Sequence, residues 1–253
     1  MHVFQAFILG IIEGITEFLP ISSTGHLIIA NHILNIPETE FVKSFDIIIQ
    51  LGAILAVVVL YLKKILANVP TFKKVAFAFI PTAIIGFVLY PFIKSFLLGN
   101  IMIVATALLV GGIIMIALEL YWRNRMRLEN AITYKRAGLV GIFQTLAVIP
   151  GVSRSGATII GGLILGIPRE KIVEFSFLLA IPTMAAATGF DLMKTGFAFT
   201  TNEYLLLSVG FVTSFVTALI AIKVFLNFIK NHTFIGFGVY RIIVGILILF
   251  FLV

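Results

Sequence analysis

Two carboxylates, three hydroxyls and an imidazole fall close together near the start of the chain: Glu13, Glu17, Ser22, Ser23, Thr24 and His26, with Gly25 before the histidine. Glu13 and Glu17 are spaced i,i+4, so on a helix they share one face. Two like charges there are unfavourable unless a cation or a shared proton relieves them. Serine and threonine hydroxyls are latent nucleophiles, and a nearby histidine can take or deliver a proton. The plain alternative is structural: hydroxyls cap helices, and one buried Glu can bond a neighbouring helix. A second run, Ser153-Arg154-Ser155-Gly156, follows Pro150-Gly151. An Arg followed by Gly at a helix N-terminus makes a phosphate cradle from guanidinium, free N–H groups and helix dipole. Its alternative role is to pair with a carboxylate and hold two segments together, a pairing that a phosphate ligand could displace.

The elements that must position these groups are set by composition. The chain has 253 residues, 60% hydrophobic and only 11% charged, with a mean hydropathy of +1.16. A soluble domain is roughly 45–50% apolar and about 25% charged. An ordinary soluble enzyme, a disordered chain and a nucleic-acid binder are excluded, despite the net charge of +7. There is no Cys, so disulfides, thiolate catalysis and Cys-ligated metals are excluded. The expectation is an all-α polytopic membrane protein, a single membrane domain over 1–253.

A spanning helix needs about 20 mostly apolar residues. Six segments qualify: about 45–62, 75–92, 99–121, 172–193, 203–227 and 236–253. Two more regions, 3–36 and 134–167, are apolar but interrupted by the polar runs above. Each reads as two half-helices joined by a turn. Irregular backbone at membrane depth survives only when buried in protein or lining a wet cavity. Both regions are therefore expected to be re-entrant hairpins. The N-terminal stretch lacks the basic leader of a signal peptide and carries two carboxylates.

Shifted by 131 residues, the sequence matches itself at informative positions: Gly10 with Gly141, Ser22 with Ser153, Gly25 with Gly156, and Ile36-Pro37 with Ile167-Pro168. This predicts a duplication with halves of about 1–124 and 133–253, each a hairpin plus three spans. A hairpin returns the chain to its side of entry and three spans move it across, so the second half runs inverted, with sites near the midplane between the repeats. The basic residues fit one orientation. If the N-terminal side is outside, the inside receives Lys63, Lys64, Lys73, Lys74, Arg123, Arg125, Arg127, Lys135, Arg136, Arg169, Lys171, Lys223 and Lys230, and the outside only Lys43, Lys94 and Lys194. That bias predicts both termini outside.

Asp46, Glu119, Glu174 and Asp191 sit near span ends, where interfacial water is expected to solvate them. Gln50, one turn past Asp46, is placed to line a cavity. Arg241, inside the last span, is expected either to snorkel or to meet a buried acid.

The run Glu13-Gly14-Ile15-Thr16-Glu17-Phe18-Leu19-Pro20-Ile21-Ser22-Ser23-Thr24-Gly25-His26 resembles the first signature of the undecaprenyl-diphosphate phosphatase family of the bacitracin-resistance type. The stretch from Pro150 to Thr158 resembles its second, and Phe45–Gly52 and Glu174–Pro182 also fit. The resemblance implies a phosphatase of the bacterial plasma membrane, with six spans and two inverted re-entrant hairpins. Its site would open to the outer, periplasmic face. It would hydrolyse a long-chain (C55) isoprenyl diphosphate to the monophosphate, recycling the lipid carrier of wall synthesis and conferring bacitracin resistance. Activity would depend on a divalent cation, Mg2+ or Ca2+. Glu13 and Glu17 become the acidic, metal-holding motif, Ser23 and His26 the reactive pair, and Arg154 the phosphate ligand. Ser22, Thr24, Gly25, Gln50, Ser153, Ser155 and Gly156 would surround the substrate. The expected reaction is phosphoryl transfer, with Ser23, His26 or water as nucleophile. The rival reading is a lipid-phosphate flippase or secondary transporter, because inverted repeats with midplane hairpins are also transporter architecture.

Overall fold

A computed structural model describes residues 1–92, 100–122, 131–195 and 199–252. Lys94, Arg123, Arg125 and Arg127 of the topology argument lie outside the described residues, as do the side chains of Asp191 and Lys194. Ten α-helices follow one another, with no strand among the described residues: α1 (Val3–Thr16), α2 (Ser23–Ile33), α3 (Glu40–Ala67), α4 (Val69–Phe92), α5 (Ile101–Trp122), α6 (Tyr134–Gln144), α7 (Arg154–Ile164), α8 (Arg169–Thr195), α9 (Thr201–Phe228) and α10 (Ile235–Phe251). A 3-10 turn, Thr145–Val148, extends α6.

Helices α3, α4, α5, α8 and α9 are long and apolar enough to cross a membrane. The apolar segment 236–253 becomes α10, shorter at 17 residues. The polar connection expected at 63–74 is not a loop. Lys63 and Lys64 continue α3 to Ala67, and α4 begins after Asn68 alone, whose φ of −126° and ψ of 65° break the ladder. Lys, Leu and Ala are strong helix formers, so the helix runs on where the hydrophobic stretch stops. Large apolar side chains face outward, as at Phe250 (81% exposed) and Phe87 (71% exposed). A water-soluble surface would not carry them; a lipid-facing one does.

The interrupted regions become paired short helices, as expected. At 1.5 Å per residue, eleven-residue α2, α6 and α7 reach only about 16 Å, half the hydrocarbon thickness. Three backbone features recur at the 131-residue offset. Ser22 and Ser153 cap α2 and α7 at φ 71° and 72°, and their hydroxyls accept from the N–H of Gly25 and Gly156. Leu34 and Leu165 end those helices at φ −83° and −80°, and Asn35 and Gly166 follow at φ 50° and 75°.

The hairpins pack crosswise: α1 lies on α9, α6 on α4, while α5 pairs with α10 and α3 meets both α8 and α9. Close approach needs small residues. A Cβ on Gly141 of α6 would stand 2.0 Å from the Ala78 carbonyl oxygen of α4. The main apolar core gathers Phe18 from the first turn with Phe177 of α8, edge-to-face at 5.1 Å between centroids, and Phe225 of α9. Phe18 and Phe177 are wholly buried, which fixes the first tip against the central helices.

Candidate active site at the two hairpin tips

Glu17 follows the last residue of α1, and its backbone N–H still bonds the Glu13 carbonyl. Its carboxylate therefore points from the end of one helix into the turn, only 6% exposed. One oxygen accepts from Arg154 Nη2 at 2.7 Å and the other from Ser23 Oγ at 2.7 Å. Arg154 opens α7 and Ser23 opens α2. One carboxylate thus joins the first residues of two helices that start 131 positions apart in the sequence. Arg154 also donates from Nη1 to the Ser176 carbonyl at 3.0 Å, and its guanidinium lies over the Phe18 ring. The carboxylate and the Arg are each under 10% exposed at the side chain. An ion pair so desolvated is strong only while both partners stay, so an anion that replaces the carboxylate can take over the guanidinium.

Ser155 Oγ donates to the Leu19 carbonyl at 2.8 Å, tying the second tip to the first turn. Ser153 Oγ meets Ser155 Oγ at 3.1 Å. Thr158 and Ser176, which the sequence reading did not single out, are both fully buried and bond one another at 2.6 Å behind Arg154. Both lie within stretches that carried the resemblance, but nothing in their types marked them.

Glu13 is completely buried, and neither of its oxygens meets a hydrogen-bond donor among the described residues. Glu17, Asp46 and Arg154 are the charged groups within electrostatic range. An acid held dry with both oxygens unpartnered, one turn from a second carboxylate, fits a hard divalent cation. Mg2+ commonly takes one or two protein carboxylates and completes its shell with water and substrate phosphate. No three His, Asp or Glu side chains converge among the described residues, so the protein would supply only part of the shell.

The structure does not bring every expected residue into this cluster. Ser23 is paired with Glu17, not with His26. The imidazole instead places Nδ1 2.7 Å from the Ser22 carbonyl and Nε2 2.7 Å from the Tyr240 hydroxyl of α10. Gly25 contributes its N–H to the Ser22 cap. Thr24 and Gln50 are half-buried. Asp46 accepts from the Asn31 amide at 3.1 Å, its other oxygen buried without a donor.

Two further expectations are corrected. Glu119 is not solvated at an interface; it is 6% exposed and ion-paired with Arg169. Arg241 neither snorkels nor meets an acid. It is 1% exposed and donates to five backbone carbonyls: Pro20 of the first tip, Gly151 and Val152 of the second, and Ala107 and Leu108 of α5. Gly111 leaves the space, since a Cβ there would lie 2.2 Å from Nη2. The charge in an apolar span was visible in the sequence. Its partners are main-chain oxygens, which carry no sequence signature.

The profile described as Bacitracin resistance protein BacA matches residues 6–247. The chain is 54% identical over 248 residues to a protein named undecaprenyl-diphosphatase from Aquifex aeolicus, covering 97% of each. It is 54% identical to one so named from Sulfurihydrogenibium, covering 98% of each. A third, from Wolinella succinogenes, is 49% identical over all of this chain and 99% of its own. With a profile running nearly end to end and relatives this similar over full length, the chain belongs to the BacA family of bacitracin resistance proteins.

Proposed function

We propose that this protein is an integral membrane phosphatase that hydrolyses undecaprenyl diphosphate to the monophosphate and inorganic phosphate. The observation that carries the reading is the Glu17 carboxylate, which holds a hydroxyl with one oxygen and a guanidinium with the other. A nucleophile, a group to take its proton and a phosphate ligand meet there. The names of full-length relatives give the lipid diphosphate as substrate.

In this reading the diphosphate takes Arg154 from Glu17, and the guanidinium fork and the N–H groups opening α7 hold its oxygens. Ser23 Oγ attacks the terminal phosphorus while its proton passes to Glu17. The bond from that phosphorus to the bridging oxygen breaks, and the lipid monophosphate leaves with the bridging oxygen. Water then attacks the phosphoserine while His26 takes the water's proton; the bond from phosphorus to Ser23 Oγ breaks, Glu17 returns its proton to that oxygen, and inorganic phosphate departs with Ser23 and Glu17 restored. Positioning and charge stabilisation carry most of such a transfer. Glu13 and Glu17 would hold the divalent cation, Mg2+ or Ca2+. When bound, it neutralises charge on the phosphate oxygens.

The architecture in this reading is six spans, α10 being the sixth, and two re-entrant hairpins, α1–α2 and α6–α7. The halves 1–124 and 133–253 are an inverted duplication. The backbone features recurring at the 131-residue offset and the crosswise packing of α1 and α6 support it. The tips open to the outer face of a bacterial plasma membrane, and both termini lie outside.

Purified, cation-supplied protein in detergent should release phosphate from a long-chain isoprenyl diphosphate and leave the monophosphate. Monophosphate should be a poor substrate, because an alkoxide is a worse leaving group than phosphate. Detergent abolishes vectorial transport but not hydrolysis. Folded protein that releases no phosphate, yet moves lipid phosphate between liposome leaflets, is a flippase.

A further inference from the structure

We infer that Tyr240 is a positioning residue for His26, an assignment that rests on the role given to His26 above. A carbonyl oxygen only accepts, so the 2.7 Å contact with Ser22 O puts the proton of neutral His26 on Nδ1. Nε2 then carries a lone pair, and the Tyr240 hydroxyl 2.7 Å away donates to it. The two rings are also parallel, 3° apart with centroids at 5.5 Å. The ring is thus fixed in orientation and in tautomer by its two bonds.

A phenol suits a base that changes charge. It donates to the neutral imidazole, and after protonation its oxygen accepts from Nε2–H. Both states are held without turning the imidazole. Tyr240 reaches His26 from α10, and the other charged group in range of the ring is Arg241, the next residue. Arg241 is itself fixed by five main-chain bonds, so the helix presenting the phenol is anchored to both tips. Tyr240 is 41% exposed, so its hydroxyl has room to yield Nε2 to the attacking water and to return as acceptor once the proton has moved.

The test compares Tyr240→Phe with the parent. Phe keeps the aromatic ring and removes only the hydroxyl, so thermal stability in detergent should be unchanged. Turnover number should fall about five- to tenfold, the effect of one neutral hydrogen bond, with KM held within twofold. In a His26→Ala background the same substitution should cost nothing further. Equal losses in both backgrounds would overturn the assignment. An independent readout is the 15N spectrum of imidazole-labelled protein with His2, His32 and His232 replaced by Gln. The parent should show Nδ1–H and a hydrogen-bonded Nε2, and Tyr240→Phe should lose the bonded Nε2 signature. An unchanged Nε2 resonance would sink the proposal. If His26→Ala turned over normally, the role of His26 in the reaction would fall, while the spectrum would still decide whether Tyr240 holds the ring.

Discussion

Replacing Arg154 by Lys keeps the charge but removes the planar fork that reaches Glu17 with one nitrogen and the Ser176 carbonyl with the other. An ammonium cannot grip two phosphate oxygens in that geometry. Arg154→Lys should lose roughly 10²-fold in kcat/KM, measured as phosphate release. Near-normal turnover would reduce Arg154 to a general counter-charge. Glu17→Gln removes the acceptor of the Ser23 proton and half of the carboxylate pair. It should lose roughly 10²–10³-fold, and the residual activity should no longer respond to added cation. Glu13→Gln should fall by a similar or smaller factor. Activity that survives thorough chelation in the parent would remove the cation from the reading. Ser23→Ala should still bind the diphosphate, scored by competition, and turn it over slowly, because the cradle is untouched.

At the scale of elements, the site depends on turns that hold helix starts in costly backbone. Ser22 and Ser153 sit at positive φ, a region non-glycine residues avoid at a cost of about 1–3 kcal/mol. The bonds converging on the tips offset this, and Arg241 supplies the most. Arg241→Leu would leave up to five buried carbonyls without that donor. It should destabilise the protein by about 3 kcal/mol or more, read as a lowered unfolding midpoint in detergent. Arg241→Lys, with three donors, should lie between. Which parts were readable from sequence follows the same division. Long hydrophobic runs with few charges map onto α3, α4, α5, α8 and α9, because length and apolarity decide a membrane helix. Pro, Gly and Ser breaks placed both tips, and i,i+4 spacing put Glu13 beside Glu17. Ser23 bonds Glu17 and not His26, because His26 sits a turn into α2 and faces α10. Tyr240 lies 214 residues from His26 in sequence, so no local pattern could join them.

At the scale of the whole molecule, the proposed orientation rests on the thirteen basic residues assigned to one side against three on the other. The chain has no native cysteine, so a single cysteine at position 2 or 125 reports alone. An impermeant reagent applied to intact cells should label position 2 and spare 125; the reverse pattern would overturn the orientation. One feature bears on how such a molecule moves. Arg241 comes from the end of the chain and grips the tips of both hairpins and α5 at once. Moving one tip against the other would have to tear that rivet out, leaving buried carbonyls without their donor. The two tips therefore travel as one body, and the barrier to admitting a ligand falls on the exchange of a single ion pair, Arg154 with Glu17. On the proposed reading, ligand entry swaps anions at a fixed anvil, and stiffening the contact between the two tips should leave turnover intact.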